Sequence, residues 1–227
     1  LYDNVGPETD ALSPGNVLIF GTGAMAGTGV PTGSMMTISA KSHFGGMFYS
    51  NVGGYFAREF KKAGYDHIVV KGRAEKPVWV WIDDDKVEIR SAAHLWGKGT
   101  HETDRLIKEE LGDPGVRVAA IGQAGENLAR IANIQVILNR AAAGRGGGEV
   151  MGSKNLKAIA VRGSGDIALA NKKLVRELSR NLVKRIKEGP LFEIRCRYGS
   201  AHSLGMLHRL GAVPVRNLKS AVFEGIE

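Results

Sequence analysis

The chain has 227 residues, a hydrophobic content of 43%, a formal net charge of +8 and a single cysteine, Cys196. Its length suits one large domain, or one domain and part of a second, and no apolar run approaches the roughly 18 residues of a membrane helix. The first residues do not resemble a signal peptide, so we predict a cytoplasmic protein without a membrane segment. The lone cysteine excludes an internal disulfide framework, and it cannot by itself hold an iron–sulfur cluster.

The positive charge is spread along the chain and is not gathered in a basic and aromatic module, so the sequence does not predict binding of nucleic acid. An acidic cofactor or an acidic protein partner fits the charge equally well. The chain begins at Leu1 without a methionine and ends at Glu227 just after an apolar segment. We therefore expect it to be part of a longer protein.

The first predicted strand, residues 17–20, is followed by Gly21-Thr22-Gly23-Ala24-Met25-Ala26, which matches the G-x-G-x-x-A pattern of dinucleotide sites. That pattern requires a helix that begins within it. The glycine- and proline-rich stretch at residues 27–33 is incompatible with a helix, and no acidic residue follows about 20 positions later to bind a ribose. We therefore predict that this is not a Rossmann site.

A hairpin is predicted from strands at residues 36–40 and 47–50, followed by a helix at residues 57–63. Asn51 lies before that helix and suits the role of its N-cap. Further strands are predicted at residues 67–71, 77–82, 86–90, 116–121, 129–138 and 158–162. Trp79 and Trp81 alternate with aliphatic residues, which indicates a strand buried on both faces. The acidic turn at residues 83–85 is more typical of a solvated hairpin than of a metal site.

A helix at residues 100–111, with Thr100 as N-cap, and a polar glycine-bearing loop at residues 122–127 complete the predicted β-rich part. Residues 163–165 are a plausible boundary. Beyond it, an amphipathic helix at residues 171–187 has a basic face that is either solvated or a docking surface for an acidic electron carrier. A further helix is predicted at about residues 200–210.

The stretch at residues 139–157 is the most distinctive part of the sequence, because it combines a glycine run with four basic residues. We predict a loop there, since glycine at this density disfavours both helix and strand. Bare backbone amides beside cationic side chains suit an anion such as phosphate, although a plain surface turn is the alternative. The basic residues are Arg140, Arg145, Lys154 and Lys157.

A series of short motifs occurs in a fixed order along most of the chain. They are Leu12-Ser13-Pro14, Gly27-Thr28, Pro31-Thr32-Gly33, Asn51-x-Gly53-Gly54-Tyr55-Phe56, Ala63-Gly64-Tyr65-Asp66, Ile68-Val69-Val70, Lys76-Pro77-Val78, Trp96-Gly97-Lys98, Ile121-Gly122, Gly125-Glu126-Asn127 and the run from Val150 to Ala158. Each motif alone is a weak signal. Together they resemble the N-terminal domain of the tungsten-containing aldehyde ferredoxin oxidoreductase family.

The resemblance implies an α+β fold in which residues 1–163 form a pair of β-sheets and residues 164–227 begin a helical second domain. In that family the sheets are the base for two pterin cofactors that hold one tungsten and are joined through their phosphates by a magnesium ion. By resemblance, Asn51 and Ala141 contribute to the magnesium site, and Arg140 lies beside the phosphates. Magnesium prefers oxygen ligands, which an asparagine or a backbone carbonyl supplies.

The resemblance also implies that Gly53 and Gly54 let the backbone approach the cofactor, with the loop at residues 122–127 as a further lining segment. Arg145 is carried over as a cofactor-binding residue on the glycine run. Met35 stands where the family often has an arginine that reaches between pterin and iron–sulfur cluster, which is a departure from the family pattern.

The family's [4Fe–4S] cysteines and its catalytic acid and histidine belong to C-terminal helical domains that this sequence does not contain. We therefore expect no catalytic residue here. The resemblance implies oxidation of small aldehydes to carboxylic acids, with ferredoxin or another iron–sulfur subunit as electron acceptor, and it leaves tungsten against molybdenum and a homodimer open. Two rival hypotheses are a tungsten benzoyl-CoA reductase subunit, which the departure at Met35 keeps open, and a cofactor-free binding or scaffold module.

Overall fold

The computed structural model describes residues 1–225 and divides the chain into two compact units, residues 1–176 and a second unit that begins at Glu177. The first unit contains ten strands and four complete helices. The strands are β1 (Leu18–Thr22), β2 (Met35–Lys41), β3 (Met47–Gly53), β4 (His67–Val70), β5 (Val78–Asp83), β6 (Lys86–Ser91), β7 (Arg117–Ala120), β8 (Ile134–Val136), β9 (Arg140–Ala142) and β10 (Leu156–Arg162). The helices are α1 (Tyr55–Lys62), α2 (Thr100–Leu111), α3 (Gln123–Glu126) and α4 (Gly147–Ser153).

The first sheet is antiparallel, with the strand order β3-β2-β1-β4. The predicted hairpin is confirmed: β2 and β3 pair from Met35 opposite Gly53 to Lys41 opposite Met47. Alternate side chains of β2 are buried, as the period of a strand requires, and these are Met36, Ile38 and Ala40. No helix follows β1 within residues 21–33, in agreement with the prediction that the dinucleotide pattern is not a Rossmann site.

The second sheet is mixed and has the order β6-β5-β10-β7-β8-β9. Its central strand β10 runs parallel to β5 and antiparallel to β7. The prediction that the tryptophan strand is buried on both faces is confirmed. Trp79 and Trp81 pack in a cluster with α2 residues such as Ile107, whereas Ile82 belongs to the main core. The acidic turn joins β5 to β6 as predicted, and its Asp84 accepts hydrogen bonds from the backbone and hydroxyl of Ser164.

One hydrophobic core joins the two sheets. It contains Phe20 and Ile38 from the first sheet, Ile159 from the second, and Phe56 and Phe60 from α1. All five side chains are almost completely buried. Burying a side chain of this size contributes about 1.5–3 kcal/mol, so this shared core fixes the two sheets as one base. The predicted fold class, a pair of sheets with accompanying helices, is therefore confirmed.

Several local predictions were wrong. Asn51 is not an N-cap, because it lies inside β3, and Gly54 precedes α1. Thr100 is the first residue of α2, and Gly99 occupies the cap position. The strand predicted at residues 129–138 is reduced to Ile134–Val136. Residues 123–126 of the predicted loop form the short helix α3. For Asn51 the cause is the pairing of β3 with β2, because such tertiary contacts outweigh the local preference of asparagine for a cap position.

The prediction of an irregular loop at residues 139–157 was also wrong in its centre, where residues 147–153 form the buried helix α4. Its glycines are required by close packing. A Cβ atom on Gly152 would overlap the carbonyl oxygen of Gly125 in α3, and one on Gly148 would lie 2.6 Å from the carbonyl oxygen of Asn133. Tertiary packing of two backbones therefore outweighs the low helix propensity of glycine, which costs about 1 kcal/mol per residue.

The second unit contains α6 (Phe192–Tyr198), a 3₁₀ turn (Gly199–Ser203) and α7 (Leu204–Arg209), and α5 (Lys172–Lys187) leads into it. Both predicted helices are confirmed in outline, and Asn171 caps α5 through a hydrogen bond to the backbone of Leu174. Within the described residues, none of these helices has a buried side chain. No helix in residues 1–225 is long and apolar enough to cross a membrane.

We predict that Gly152→Ala destabilises the first unit, because overpacking costs about 1–3 kcal/mol and exceeds the roughly 1 kcal/mol that alanine gains over glycine in a helix. The measurement is the urea midpoint of unfolding. Gly205→Ala is the matched control, since this helical glycine has no atom within 4 Å of its Cβ position. A Gly152→Ala midpoint at or above that of the wild type would contradict the packing argument.

Candidate functional site

The candidate site is a cavity of about 900 Å³ on the first unit. Three segments line it: the loop that precedes β2, the junction of β3 with α1, and the connection between β8 and β9. The lining residues are Gly27, Thr28, Gly29, Val30, Thr32, Gly33, Ser34, Met35, Gly53, Gly54, Tyr55, Arg58, Ile137, Asn139 and Arg140. Its volume is that of a site for a small molecule or cofactor.

The cavity forms where the two sheets meet edge to edge. β3 is the last strand of the first sheet and β9 is the last strand of the second. The two strands are in contact, and the Ser50 hydroxyl donates a hydrogen bond of 3.0 Å to the carbonyl oxygen of Ala143 just beyond β9. This contact brings Asn51 and Ala141, 90 positions apart in sequence, onto neighbouring strands.

The cavity is cationic. Among residues 1–225, Arg58 on α1 and Arg140 on β9 are its only charged lining residues, and no carboxylate of this range lines it. Neither arginine makes an ion pair with any residue in the described range 1–225, whereas Arg90, Arg105 and Arg162 each do. Two guanidinium groups without a carboxylate partner favour an anionic ligand, and their planar donors match the oxygens of phosphate.

Four of the seven residues that the sequence assigned to cofactor binding line this cavity: Met35, Gly53, Gly54 and Arg140. Gly54 has a φ of +121°, and a Cβ atom there would lie 2.9 Å from Ile137. Gly53 meets no atom within 4 Å of its Cβ position, so its missing side chain leaves room in the cavity. The fold thus brings these two glycines and Arg140 together.

The other three assigned residues lie outside the lining. Asn51 is exposed on β3, and its side-chain oxygen accepts a hydrogen bond of 2.8 Å from the Thr37 hydroxyl. Ala141 lies on β9 opposite Gln135. Arg145 is exposed and has a φ of +101°, and its carbonyl oxygen accepts a hydrogen bond from Ser42.

The expectation that Lys154 and Lys157 contribute to an anion site was wrong, because both side chains are buried within the fold. Lys154 donates to the carbonyl oxygens of Asn16, at 2.5 Å, and Gly72, at 3.0 Å. Lys157 donates to the carbonyl oxygen of Lys98 and pairs with the buried carboxylate of Glu126. Their charges are therefore used to hold backbone segments together.

Glu126 also accepts a hydrogen bond of 2.9 Å from the backbone amide of Gly97. Segment 122–127 was expected to line the cofactor site. Its Glu126 side chain instead connects α3 to the turn at residues 96–98. Gln123 reinforces the same connection by donating to the carbonyl oxygen of Gly97 at 2.6 Å. No residue of this segment lines the cavity.

The buried pair His43 and Glu149 lies beside the glycine run. The two side chains are in contact, and a Cβ atom on Gly146 would lie 2.9 Å from the His43 ring. Burial, and secondarily the positive charge of Arg130, holds the pKa of His43 below its usual range. The pair connects the β2–β3 turn with α4.

Sequence reasoning missed Arg58, Tyr55, Ile137 and Asn139 as lining residues. Arg58 belongs to no recognised motif, so only its position in the helix could have indicated it. Arg58 is exposed, whereas its neighbours are buried: Phe56, Ala57, Glu59 and Phe60. Within the described residues no group of three or more His, Cys, Asp or Glu side chains could hold a metal ion.

The structure is a two-sheet base with a cationic cavity at the shared edge of the sheets. The comparisons with known proteins agree on the family of this domain. Residues 1–163 match the model of the aldehyde ferredoxin oxidoreductase N-terminal domain. The chain belongs to this family, and the resemblance inferred from its motifs is confirmed.

Curated relatives include two tungsten-containing aldehyde ferredoxin oxidoreductases. The protein of Pyrococcus horikoshii is 43% identical over 227 residues, which is 99% of this chain and 37% of the relative. That of Pyrococcus furiosus is 44% identical over 226 residues, or 98% of this chain and 37% of the relative. The chain therefore spans somewhat more than a third of the length of these proteins.

Among solved structures, the active-site complex BamBC of benzoyl coenzyme A reductase, bound to 1,5-dienoyl-CoA, superposes with a TM-score of 0.80. It is 42% identical in sequence, and the match covers 83% of this chain and 29% of that one. The sequence identities to the two aldehyde ferredoxin oxidoreductases and to the benzoyl coenzyme A reductase complex thus differ by no more than two percentage points.

We predict that Lys154 makes the free energy of unfolding increase with pH in the alkaline range. Burial, and then the charge of Arg73, lowers its pKa from an ordinary 10.5 to about 8. Between these two values the unfolded chain binds more protons than the folded one, so the free energy of unfolding rises with pH, by at most about 1.4 kcal/mol per pH unit. Below pH 8 the cost of burying the charge is present in full.

The measurement is the difference in urea stability between the wild type and Lys154→Met at pH 7 to 10.5. We expect this difference to shift in favour of the wild type above about pH 8. A difference that stays constant across the range would show that Lys154 does not titrate as its burial requires.

Proposed function

We propose that this chain is the cofactor-cradling segment of a tungsten-pterin oxidoreductase that acts in the cytoplasm, oxidises aldehydes to carboxylic acids and delivers electrons to ferredoxin. The observation that carries the proposal is the cavity in which Gly53, Gly54 and Arg140 meet at the shared edge of the two sheets. Gly53 and Gly54 belong to a motif of a family whose curated members include tungsten enzymes, and the resemblance to that family assigns Arg140 to the phosphate region.

The residues present fit such a cofactor. The cavity is large enough for a part of a pterin, and its open side at Gly53 admits close approach of a ligand. Its two guanidinium groups, which form no ion pair within residues 1–225, suit phosphate. We assign to Arg140 the neutralisation of a pterin phosphate, while Met35 forms an apolar wall and Arg145 adds positive charge on the nearby glycine run.

Asn51 and Ala141 would supply oxygen ligands to a magnesium ion between the pterin phosphates. Thr37, which lies opposite Asn51 on β2, donates to the side-chain oxygen of Asn51 and so fixes the orientation of its amide. That oxygen has a second lone pair, so it can accept the hydrogen bond and face a cation at once. The carbonyl of Ala141 is the other candidate, because β9 brings it next to β3.

When bound, the cofactor would supply the two-electron redox chemistry of aldehyde oxidation, with a [4Fe–4S] cluster and the catalytic acid and base provided outside this chain. The contribution of the chain itself is binding, orientation and charge neutralisation. Its own residues hold the anionic end of the cofactor against the sheet edge and contribute no group that reacts with the substrate.

We predict that Asn51→Ala and Arg140→Ala each lower cofactor occupancy of the complete enzyme, because each removes a polar contact to the phosphate and magnesium region. A charge-assisted contact is worth about 1.5–3 kcal/mol, which corresponds to roughly tenfold or more in affinity. The measurements are tungsten, molybdenum, iron and magnesium per polypeptide by elemental analysis, together with released pterin.

Asn4→Ala and Arg105→Ala are matched controls, since both residues are exposed and lie outside the cavity lining. Full occupancy in both site variants would refute our placement of the phosphate site. Absence of tungsten, molybdenum and pterin from the native wild-type protein would favour the cofactor-free scaffold hypothesis instead.

A second candidate function is that of a benzoyl-CoA reductase subunit, which transfers electrons toward an aromatic ring. The specific observation in its favour is the 42% identity and the TM-score of 0.80 to that enzyme's active-site complex. The presence of Met35 in place of the family's frequent arginine is consistent with a member that departs from the aldehyde-oxidising pattern.

We predict that the complete enzyme reduces a ferredoxin-type acceptor with simple aldehydes and is inactive with benzoyl-CoA and a low-potential donor. The two assays share one enzyme preparation, so metal content is the same in both. Turnover of benzoyl-CoA without turnover of aldehydes would replace the first function by the second.

A further inference from the structure

Arg58 is the one charged lining residue of the cavity to which the motifs assign no role. It lies on the outward side of α1, between the buried residues Ala57 and Glu59. Because Arg58 itself is exposed and makes no ion pair with any part of the chain that the structure describes, packing and charge pairing within the fold do not account for it. Its position on the cavity wall indicates a role in binding a ligand.

Arg58 and Arg140 enter the cavity in the same manner. The Cγ atom of Arg58 lies 3.6 Å from the position that a Cβ of Gly27 would take, and the Cγ of Arg140 lies 3.8 Å from that of Gly54. Both glycines have positive φ, +76° and +121°. Each arginine stem therefore passes a cavity-lining glycine at van der Waals distance, whereas the atoms that a Cβ would overlap belong to Ile167 at Gly27 and to Ile137 at Gly54.

The two arginines come from separate elements. Arg58 belongs to α1 and Arg140 to β9, and the lining residues between them are glycines, hydroxyl and amide side chains and apolar groups. An anion in the cavity would meet two guanidinium groups and no competing carboxylate. Two planar donor groups that converge on one anion bind phosphate more tightly than either alone.

We propose that Arg58 is a phosphate-binding residue and that it forms, with Arg140, a two-arginine clamp for a phosphate group. The inference rests on the proposed function in so far as the phosphate is that of the pterin cofactor. The same chemistry would serve a phosphate of a CoA thioester substrate, and the experiment below separates the two sources.

The test is Arg58→Met in the complete enzyme, with Arg105→Met as matched control, since Arg105 is an exposed helix arginine outside the cavity. We expect tungsten and pterin content after extended dialysis to fall about tenfold in Arg58→Met and to stay at the wild-type level in the control. The thermal midpoint of the apoprotein is measured in parallel, and we expect it to be unchanged because Arg58 is exposed.

A rescue variant tests whether charge in the cavity is what matters. Met35 lines the same cavity, so Arg58→Met combined with Met35→Arg returns a guanidinium group to it from β2. We expect this double variant to recover at least half of the lost occupancy. Arg58→Lys, which keeps the charge but not the planar fork, is expected to lie between the wild type and Arg58→Met.

The outcomes are distinct. Loss of tungsten and pterin identifies the cofactor phosphate as the ligand. Unchanged occupancy with a KM for benzoyl-CoA raised at least fivefold, and no change for simple aldehydes, identifies a substrate phosphate. Wild-type occupancy and wild-type KM values in Arg58→Met overturn the clamp. A wild-type enzyme that contains no pterin refutes the proposed function instead. In that case the clamp is tested by binding of inorganic phosphate, which Arg58→Met must weaken.

Discussion

The constraint on which the site depends is the meeting of two sheet edges, β3 and β9. A free edge exposes unpaired backbone groups, and proteins cover such edges or place them against other elements. Here the two edges protect each other, and Ser50 fixes their contact by its hydrogen bond to Ala143. The same contact brings the cavity-lining residues Gly53 and Arg140 together, so the arrangement that places the two edges against each other also forms part of the cavity wall.

The buried charges of Lys154 and Lys157 bind groups within the two-sheet base and do not contribute to the cavity. Lys154 binds two carbonyl oxygens from loops at residues 16 and 72, and Lys157 binds Glu126 together with the carbonyl of Lys98. A buried charge is costly. These hydrogen bonds offset part of that cost, and burial still lowers the pKa of both lysines. The cationic groups left over for a ligand are the exposed arginines, which are more weakly hydrated than lysine and better shaped for phosphate.

The sequence predicted the parts of the fold that follow from local pattern. The β2–β3 hairpin, the buried tryptophan strand and the amphipathic helix α5 all follow from hydrophobic periodicity, which depends on near neighbours. Helix α4 could not be predicted in this way, because its glycines are explained by contacts with residues 125 and 133, more than ten positions away. Of the site, Gly53 and Gly54 belong to a recognisable motif, and Arg140 belongs to the distinctive glycine-rich stretch at residues 139–157. Arg58 belongs to none, and only the folded chain shows that it lines the same cavity.

The three cavity-lining segments span residues 27 to 140, more than half of the chain, and this has a consequence for assembly. During synthesis no cavity exists until β9 has left the ribosome and reached β3, because either edge alone is an open strand. Non-local contacts of this kind form late and slowly compared with local ones. A ligand can therefore contact all three lining segments only after β9 has reached β3, so the complete binding surface arises late in folding.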